Sequence, residues 1–360
     1  MNILDIAMIG VGRIGFYHAR HLQELAAQRQ DCRLVAVVDT YQDAAAQVTA
    51  KLQCHQDTPI RAFTSVADLV ASGISTAAVI ASRTQDHGDD ARQLIDAGHR
   101  VLLEKPLTGT LAAARALVAY LQADERRQQA LMLGFMRRFD APLLAAKSLV
   151  DEGIVGEVFK IVSILEDPLP PPDGYNSPGL LTDMSVHNID EICWLLGALP
   201  DRVAAFGALL YNQKITTVKE DLDDAFLQMS FCGDRLGQVQ VSRNHVAGYR
   251  NETWVYGPEG GIHVGHFSGD PLTVQLEVFW KKRVTDRRRF TLRPYEENVP
   301  VFIQRFGEAY KAEAEAFIEA CLTGAPFSVG PMEGLRAQEI ASAGNAVLVR
   351  SNEGAGVEYG

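Results

Sequence analysis

A glycine-rich motif near the start of the chain is the first feature whose spacing could serve chemistry. Gly10, Gly12 and Gly15 form a GxGxxG pattern, which directly follows an apolar, strand-like segment and opens a helix-like one. In that context Gly10 permits a tight turn, Gly12 lets the backbone approach a pyrophosphate, and Gly15 allows the helix to pack closely on the strand. The helix N-terminus offers unpaired N–H groups to the same anion. The motif therefore predicts a dinucleotide site, in preference to a simple packing turn.

An acidic residue indicates which dinucleotide binds. Asp39 ends the second predicted strand, Leu34 to Asp39, and Thr40 follows it. A carboxylate at this place accepts hydrogen bonds from ribose hydroxyls and repels a 2′-phosphate, while Thr40 supplies no cation to attract one. The sequence favours NAD over NADP as the cofactor.

A lysine and a polar helical stripe could supply the reacting groups. Lys105 ends the predicted strand Arg100 to Lys105, and ligands of open α/β sheets bind outside such strand ends. Asp183, His187 and Asp190 recur at i, i+4 and i+7 in an otherwise apolar predicted helix. A helix so apolar is expected to be buried, and buried ionisable groups require a partner or a cavity. A solvated lysine and an exposed helical ion pair are the alternatives.

These groups suit one reaction if they act together with NAD. When hydride leaves an alcohol carbon, His187 can accept the hydroxyl proton. Asp183 can orient or electrostatically support the imidazole, and Lys105 can stabilise the developing alkoxide.

The elements that must position these residues change in type along the chain. The first third alternates β-branched runs with helical segments, as in βαβ units and parallel sheets. Beyond Phe139 a series of strands is joined by tight turns, which requires antiparallel pairing. Two helices, Val301 to Thr323 with an interruption at Gly307 and Met332 to Arg350, close the chain. We expect an α/β protein with a dinucleotide-binding domain over residues 1–136 and a second domain over 137–360, with the last helix a candidate to pack back on the first.

Composition excludes several classes of partner. Thirty-four basic against 45 acidic residues give a net charge of −11, which repels nucleic acid and anionic lipid. Two basic clusters, Lys281 to Arg283 and Arg287 to Arg289, fit a solvated hairpin or a subunit contact better than a nucleic-acid site. The five scattered cysteines indicate a reducing, cytoplasmic location, and we expect no signal peptide, no membrane span and no metal.

Three motifs together resemble a known family. They are Gly10 to Gly15, Glu104-Lys105-Pro106 and Asp183 to His187 (DMSVH). They are similar to those of the oxidoreductases grouped as glucose–fructose oxidoreductase, inositol dehydrogenase and rhizopine-catabolism proteins. The resemblance spans nearly the whole chain. It is strongest to inositol 2-dehydrogenases, through 134–140 (GFMRRFD), 183–190 (DMSVHNID), Ser242-Arg243 with Gly248-Tyr249, and 305–310 (RFGEAY).

The resemblance implies a fold and a set of site residues. It implies an N-terminal Rossmann domain and a C-terminal α+β domain with a large, mostly antiparallel open sheet, whose exposed face packs on a partner in a homotetramer. The implied catalytic residues are Lys105, Asp183 and His187. The implied cofactor contacts are Gly10, Gly12, Arg13, Ile14, Gly15, Asp39, Thr40, Ser82, His87 and Glu104, and the implied substrate contacts are Arg137, Asp167, Asp190 and Tyr249.

The expected activity is NAD-dependent oxidation of a secondary ring hydroxyl of a cyclic polyol, of the myo- or scyllo-inositol type, to the ketone. The same chemistry on an aldose or another hexose derivative is a close alternative, and a non-catalytic NAD(H)-sensing regulator is a third. Retention of both Lys105 and His187 argues against the regulator. Two segments depart from the family pattern, namely Leu165-Glu166-Asp167-Pro168 and the loop Pro168 to Pro178. The sequence therefore leaves the identity of the substrate undetermined.

The acid at the second strand end predicts coenzyme preference. NAD should exceed NADP in kcat/KM by at least about tenfold, the effect of one repulsive contact of about 1.4 kcal/mol. Replacing Asp39 by Ala and Thr40 by Arg should weaken or reverse the preference in steady-state assays with each coenzyme. Equal use of both coenzymes by the unmodified protein would contradict this prediction.

Overall fold

A computed structural model describes residues 3–53, 58–169, 178–210, 221–266, 272–281, 283–296 and 299–350. Cys54, most of the loop Pro168 to Pro178, Lys282 and the side chain of His266 lie outside the described residues. The chain divides into two compact units, Met1–Phe139 with Phe306–Arg336, and Asp140–Arg305 with Ala337–Gly360. The first unit therefore extends past 136 and includes a segment from near the C-terminus.

The first unit contains a parallel sheet with the strand order β3-β2-β1-β4-β5-β6. Its described strands are β1 (Leu4–Ile9), β2 (Cys32–Val38), β3 (Arg61–Phe63), β4 (Ala77–Ile80), β5 (Arg100–Glu104) and β6 (Leu131–Gly134). Its described helices are α1 (Gly15–Arg29), α2 (Gln42–Gln53), α3 (Val66–Ser72), α4 (His87–Asp96), α5 (Leu111–Gln122) and α6 (Glu125–Gln128), with a 3-10 turn at Met136–Phe139. This is the doubly wound Rossmann arrangement that the sequence predicted.

The strand order reverses between β1 and β4, and that reversal locates the ligand crevice. In open α/β sheets, ligands bind outside the carboxyl ends of the strands where the order reverses. Gly10 follows β1, Ser82 lies two residues beyond β4, and Lys105 follows β5. The topology thus brings three predicted site residues to one sheet edge.

A helix from near the C-terminus completes the core of this unit. Ala314, Phe317 and Ile318 of the helix Val301–Thr323 are fully buried, and they pack into the cluster that contains Met8 and Leu25. Their spacing of three and four residues places them on one helix face. This burial explains why the segment joins a unit that lies more than 160 residues away in sequence.

The expected interruption of that helix at Gly307 was wrong. The helix runs unbroken from Val301 to Thr323. Glycine inside a helix costs about 1 kcal/mol relative to alanine, but the neighbouring Phe306 and Tyr310 are buried at 1% and 4% exposure. Burial of these aromatic side chains outweighs the weak local preference.

The second unit contains a larger sheet with the strand order β14-β13-β12-β11-β7-β10-β9-β8-β15. Its described strands are β7 (Lys160–Glu166), β8 (Arg202–Ala208), β9 (Asp224–Phe231), β10 (Arg235–Ser242), β11 (Arg250–Gly257), β12 (Gly260–His266), β13 (Thr273–Trp280), β14 (Arg283–Thr291) and β15 (Leu348–Arg350). The pairs β7–β10 and β8–β15 are parallel, and the other described pairs are antiparallel. The predicted mostly antiparallel sheet is confirmed.

Helices lie on one face of this sheet. Of the remaining described helices, α7 (Ala141–Asp151), α8 (Leu180–Asp183) and α9 (Ser185–Leu196) belong to the second unit, α10 (Val301–Thr323) lies mostly in the first, and α11 (Pro331–Ala346) is divided between the two. Helix α9 packs on β7 and β10, and α7 packs on β12 and β13. Thr253 and Val255 of β11 point to this covered side and are buried, whereas Trp254 and Tyr256 alternate with them and point to the opposite side.

The second predicted basic cluster, Arg287 to Arg289, lies on β14, an edge strand of the sheet. Arg287 pairs with Glu277 at 2.6 Å and Arg288 with Asp286 at 3.0 Å. Charged side chains on an edge strand discourage pairing with the strands of other molecules. The described ion pairs lie within this chain, and the prediction of a solvated hairpin or a subunit contact stays open between its two alternatives.

Within the described ranges, none of the helices combines the length and the apolar character that crossing a bilayer requires.

Candidate functional site

The glycine loop between β1 and α1 is shaped by close backbone contacts. Gly10 has a positive φ of 78°, and a Cβ placed on it would lie 2.6 Å from the backbone of Ser82. A Cβ on Gly15 would overlap the carbonyl oxygen of Gly10. Both positions therefore require glycine, because any side chain would force the loop away from β4 or from the start of α1.

The middle of the same loop is open. A Cβ on Gly12 would meet no atom within 4 Å, and both Gly12 and Arg13 are exposed, while Ile14 is half-buried at the start of α1. An uncovered backbone at a helix N-terminus is what the pyrophosphate of a dinucleotide needs. The loop fits NAD, whose phosphates Gly12, Arg13 and Ile14 would hold.

Asp39 connects the second strand to the glycine loop. Its carboxylate accepts hydrogen bonds from the backbone N–H groups of Val11, at 3.0 Å, and Tyr41, at 2.9 Å. Asp39 is half-buried and Thr40 is exposed. The acid is thus fixed beside the loop, at the position where a dinucleotide ribose lies in this fold.

His87 links the loops after β4 and β5. Its Nδ1 lies 2.9 Å from the carbonyl oxygen of Pro106, and its Nε2 lies 3.1 Å from that of Ser82. Burial lowers the pKa of His87, which favours the neutral ring. A neutral imidazole has one N–H, so it donates to only one of the two carbonyls. His87 holds these loops together by its ring, while the Ser82 hydroxyl donates to Asp90 at 2.6 Å.

Glu104 and Lys105 stand where β5 ends. The strand stops at Glu104, one residue before the predicted end, and the Lys105–Pro106 peptide is cis. Glu104 is buried, and its Oε2 accepts a hydrogen bond from the Lys105 backbone N–H at 3.1 Å. Its Oε1 lies 2.6 Å from Nε2 of His18 on α1. Lys105 itself is half-buried.

Arg137 also belongs to the first unit. It lies in the 3-10 turn that follows β6, at 2% exposure, with its guanidinium carbon 5.5 Å from the ring centre of Phe306. The guanidinium of this predicted substrate contact is therefore packed against an aromatic ring within its own unit.

The polar stripe lies in the second unit and is buried. Asp183, His187 and Asp190 are 9%, 6% and 3% exposed, so the alternative of an exposed helical ion pair is wrong. The predicted single helix is divided at Met184, which closes α8 and begins α9. The sequence shows no breaker at that position, and the division places Asp183 at the end of its own short helix.

Arg243 pairs with Asp183. Its Nη2 lies 3.1 Å from Oδ2 of Asp183, and its Nη1 lies 2.8 Å from Oδ2 of Asp221. All three side chains are largely buried. The other oxygen of Asp221 accepts the backbone N–H of Leu180, at 2.7 Å, at the first turn of α8. One guanidinium thus neutralises the predicted orienting carboxylate and anchors the helix that carries it.

A second buried carboxylate fixes α9 to the sheet. Glu191 accepts hydrogen bonds from the hydroxyl of Ser163, at 3.0 Å, and from that of Thr253. Asn188 donates to the same Ser163 hydroxyl at 2.7 Å. Because Ser163 and Thr253 are neighbours on β7 and β11, these bonds set the rotation of α9 and hence the direction of its His187 stripe.

The remaining predicted substrate residues lie at strand ends of the second unit. Asp167 follows β7, and its backbone is held by Ser242, at 2.9 Å, and His245, at 3.0 Å. Tyr249 precedes β11 and is 8% exposed. The predicted site residues therefore form two groups, with Lys105, Arg137 and the cofactor residues in the first unit and Asp167, Asp183, His187, Asp190 and Tyr249 in the second.

Sequence reasoning missed three buried ionisable residues near the predicted site residues. The sequence placed Arg243 in a motif shared with the family but indicated no role for it. No pattern in the residues around Asp221 singled that residue out. Glu313 was also missed; it is buried, and its carboxylate lies within 4.8 Å of ligand-type atoms of His18 and Glu104. A charged residue at an apolar helix position, as in Glu313, is the kind of signal that could have drawn attention to it.

The fold and the two groups define a class of protein. A parallel sheet of this order, an open glycine loop and an acid beside it are the features of a dinucleotide-binding domain. The buried imidazole and carboxylates of the second unit add acid–base groups. These are the parts of a nicotinamide-dependent oxidoreductase.

The chain belongs to the GFO/IDH/MocA oxidoreductase family. Residues 4–134 match the model of its NAD-binding Rossmann domain, and residues 143–263 match the model of its C-terminal domain. A myo-inositol dehydrogenase of Streptomyces leeuwenhoekii is 30% identical over 73% of this chain and 77% of its own. An inositol 2-dehydrogenase of Rhizobium meliloti is 29% identical over 93% of this chain and 94% of its own.

Solved structures extend the likeness to three dimensions. A scyllo-inositol dehydrogenase from Lactobacillus casei, with bound NAD(H) and scyllo-inositol, matches with a TM-score of 0.78 at 25% identity, over 96% of this chain and 97% of that one. A myo-inositol dehydrogenase from Corynebacterium glutamicum matches with a TM-score of 0.80 at 25% identity, over 96% of both chains.

The pairing of Arg243 predicts a large effect on stability. Arg243→Met should lower the free energy of unfolding by about 3–5 kcal/mol, because it leaves two buried carboxylates without their cation. Chemical denaturation at neutral pH measures the change. Arg126→Met, at an exposed position of α6, is the matched control and should stay within about 0.5 kcal/mol of the unmodified protein. A loss below about 1 kcal/mol for Arg243→Met would contradict the prediction.

Proposed function

We propose that the protein is an NAD-dependent dehydrogenase that oxidises a secondary ring hydroxyl of a cyclic polyol of the inositol type to the ketone. The observation that carries the proposal is the buried stripe of Asp183 and His187, in a chain whose other unit has an open NAD-type glycine loop. The inositol dehydrogenases to which the chain is similar support the choice of substrate class.

His187 is proposed as the general base. NAD, when bound, supplies the hydride acceptor. The substrate O–H proton passes to His187, the C–H hydrogen leaves as hydride, and the carbon–oxygen bond becomes a ketone. An imidazole suits this step because its ordinary pKa lies near physiological pH.

Asp183 is proposed to orient and support the imidazole as it becomes charged. Its carboxylate accepts Arg243 at 3.1 Å, so it is held in place by a group outside the stripe. Arg243 also reduces the net negative charge of this part of the site, because its guanidinium pairs with both Asp183 and Asp221. The ion pair with Arg243 offsets the cost of burying the Asp183 carboxylate, which its supporting role requires.

Lys105 is proposed to bind the substrate oxygen and stabilise the alkoxide. Its backbone is fixed on one side by the Glu104 carboxylate and on the other by Pro106, whose carbonyl lies beside His87. Arg137, Asp167, Asp190 and Tyr249 are proposed to bind the other hydroxyls of the ring. In the departing segment, Glu166 accepts hydrogen bonds from Gln240 at 2.7 Å and from Arg250 at 3.3 Å, and the adjacent Asp167 is half-buried.

Self-association through the uncovered sheet face is a further part of the proposal. Phe206 and Phe226 are cross-strand neighbours on that face and are 46% and 40% exposed. On the same face Trp254 stacks on His263 at 3.9 Å between ring centres and on Phe279 at 5.9 Å. Exposed apolar and aromatic surface of this kind is typical of subunit contacts. We propose a homotetramer.

The assigned roles predict how the enzyme fails. His187→Ala should reduce kcat by about 10²-fold or more, with NAD affinity nearly unchanged, because general-base catalysis contributes about 10²–10⁴-fold. Lys105→Ala should reduce kcat by a comparable factor. The assay measures NADH formation with inositol stereoisomers and with D- and L-hexoses as substrates. The substrate with the highest kcat/KM shows whether the enzyme is a polyol dehydrogenase or a sugar dehydrogenase.

Lys147→Ala, at a half-buried position of α7 outside both groups of site residues, is the matched control for Lys105→Ala and should keep full activity. Near wild-type kcat in His187→Ala between pH 6 and 10 would remove the proposed base. A folded protein that binds NADH but turns over none of these substrates would instead support the sensor alternative.

The sheet face predicts a size in solution. Light scattering at micromolar concentration should give the mass of four chains, and Phe226→Asp should dissociate the assembly, because the charge would be buried in the contact. Leu144→Asp, exposed on α7 and therefore on the covered side of the sheet, is the control and should leave the mass unchanged. A monomeric unmodified protein would refute this assembly.

A further inference from the structure

Three ionisable side chains meet behind Lys105, inside the first unit. His18 on α1, Glu104 at the end of β5 and Glu313 on α10 are 1%, 5% and 0% exposed. One imidazole nitrogen of His18 and one carboxylate oxygen from each glutamate lie within 4.8 Å of one another. Tyr310, one turn before Glu313, packs its ring edge-on against His18 at 5.3 Å between centres. Helix α10 thus presents both residues to the imidazole.

The distances within this cluster favour a proton over a metal ion. Nε2 of His18 lies 2.6 Å from Oε1 of Glu104. Two atoms that each bind one ion at about 2.0–2.1 Å stand about 2.9 Å or more apart. A separation of 2.6 Å is instead that of a charge-assisted hydrogen bond, in which His18 donates and Glu104 accepts. Nδ1 of His18 has no hydrogen-bond partner among the described residues, as expected when Nε2 carries the proton.

Glu313, the third side chain of the cluster, takes no part in the hydrogen bond between His18 and Glu104. Neither of its carboxyl oxygens has a hydrogen-bond partner among the described residues. Among the described residues, His18 from α1 and Glu104 from β5 are the ionisable groups that lie against Glu313. Tyr310 of its own helix packs on His18, and His87 of α4 and the Lys105 backbone adjoin Glu104. An ionised Glu313 would place a second buried negative charge beside Glu104, which is already committed to His18 and to the Lys105 backbone.

We propose that Glu313 is a neutral carboxylic acid in the folded protein, and that it acts as a positioning residue by keeping a single negative charge, that of Glu104, behind Lys105. Burial and then the charge of Glu104 raise the pKa of Glu313 well above its ordinary value. When Glu313 loses its proton at alkaline pH, repulsion displaces Glu104. Because Glu104 holds the Lys105 N–H, the lysine moves with it. Only this last step rests on the proposed function.

The protonation is tested without any activity assay. Infrared spectra in D₂O at neutral pH should show a protonated-carboxyl band in the unmodified protein that is absent from Glu313→Gln. Glu315→Gln, exposed and two residues further along the same helix, is the matched control and should retain the band. Absence of the band from the unmodified protein, or one equivalent of zinc or manganese in metal analysis of the purified protein, would overturn the proposal.

Stability against pH gives a second test with a definite sign. A carboxyl whose pKa is raised on folding stabilises fully below its unfolded pKa of about 4.3, and that stabilisation is lost as pH rises through the folded pKa. The Tm of Glu313→Gln relative to the unmodified protein should therefore increase with pH from about pH 4.3. The Tm difference for Glu315→Gln should stay flat. A flat difference for Glu313→Gln would contradict a raised pKa.

The positioning role is tested by the pH profile of kcat/KM. Glu313→Gln keeps the shape and the neutrality, so its alkaline limb should move upward by about one pH unit or more, while Glu315→Gln superimposes on the unmodified protein. Identical profiles, together with the infrared band, would leave Glu313 neutral but without a positioning role. If the unmodified protein oxidises no substrate, the infrared and stability results still decide the protonation.

Discussion

Arg243 holds two buried carboxylates with one guanidinium, and the second unit's part of the site depends on that pairing. Asp221 accepts hydrogen bonds from both the Leu180 N–H at the start of α8 and Nη1 of Arg243, and Asp183 at the end of α8 pairs with Nη2 of the same arginine. Without the cation, either carboxylate would have to leave the interior or take up a proton, since an unpaired buried charge is costly. The helix that leads into the His187 stripe is therefore positioned by electrostatics as much as by apolar packing.

The same constraint is met in different ways elsewhere in the molecule. Arg305 forms a two-pronged ion pair with Asp140, at 2.7 and 2.8 Å, in the second unit. Glu191 is satisfied by the hydroxyls of Ser163 and Thr253. On the open sheet face, burial alone would raise the pKa of Glu252, but hydrogen bonds from His263 and Arg250 lower it to about 2. Cations, neutral donors and, as proposed for Glu313, a retained proton are three solutions to one problem.

The first unit solves a different problem, that of leaving backbone accessible. Gly10 and Gly15 are packed so tightly that no side chain fits, whereas a side chain on Gly12 would reach open space. Close packing therefore requires glycine at the two ends of the motif, whereas Gly12 in the middle leaves the backbone accessible to a dinucleotide. Asp39 then fixes the loop through the Val11 N–H, so the residue that is predicted to select the coenzyme also stabilises the loop.

Local pattern determined much of this protein. The spacing of Gly10 to Gly15, the alternation of strands and helices, and the apolar helix around His187 were readable because each lies within a few residues of chain. The tertiary structure decided the rest. Arg243 meets Asp183 across 60 residues, and Glu313 meets Glu104 only because Phe317 and its neighbours draw α10 into the first core. Such partners depend on strand register and on which core a helix joins, and neither is written in the sequence near the residues concerned.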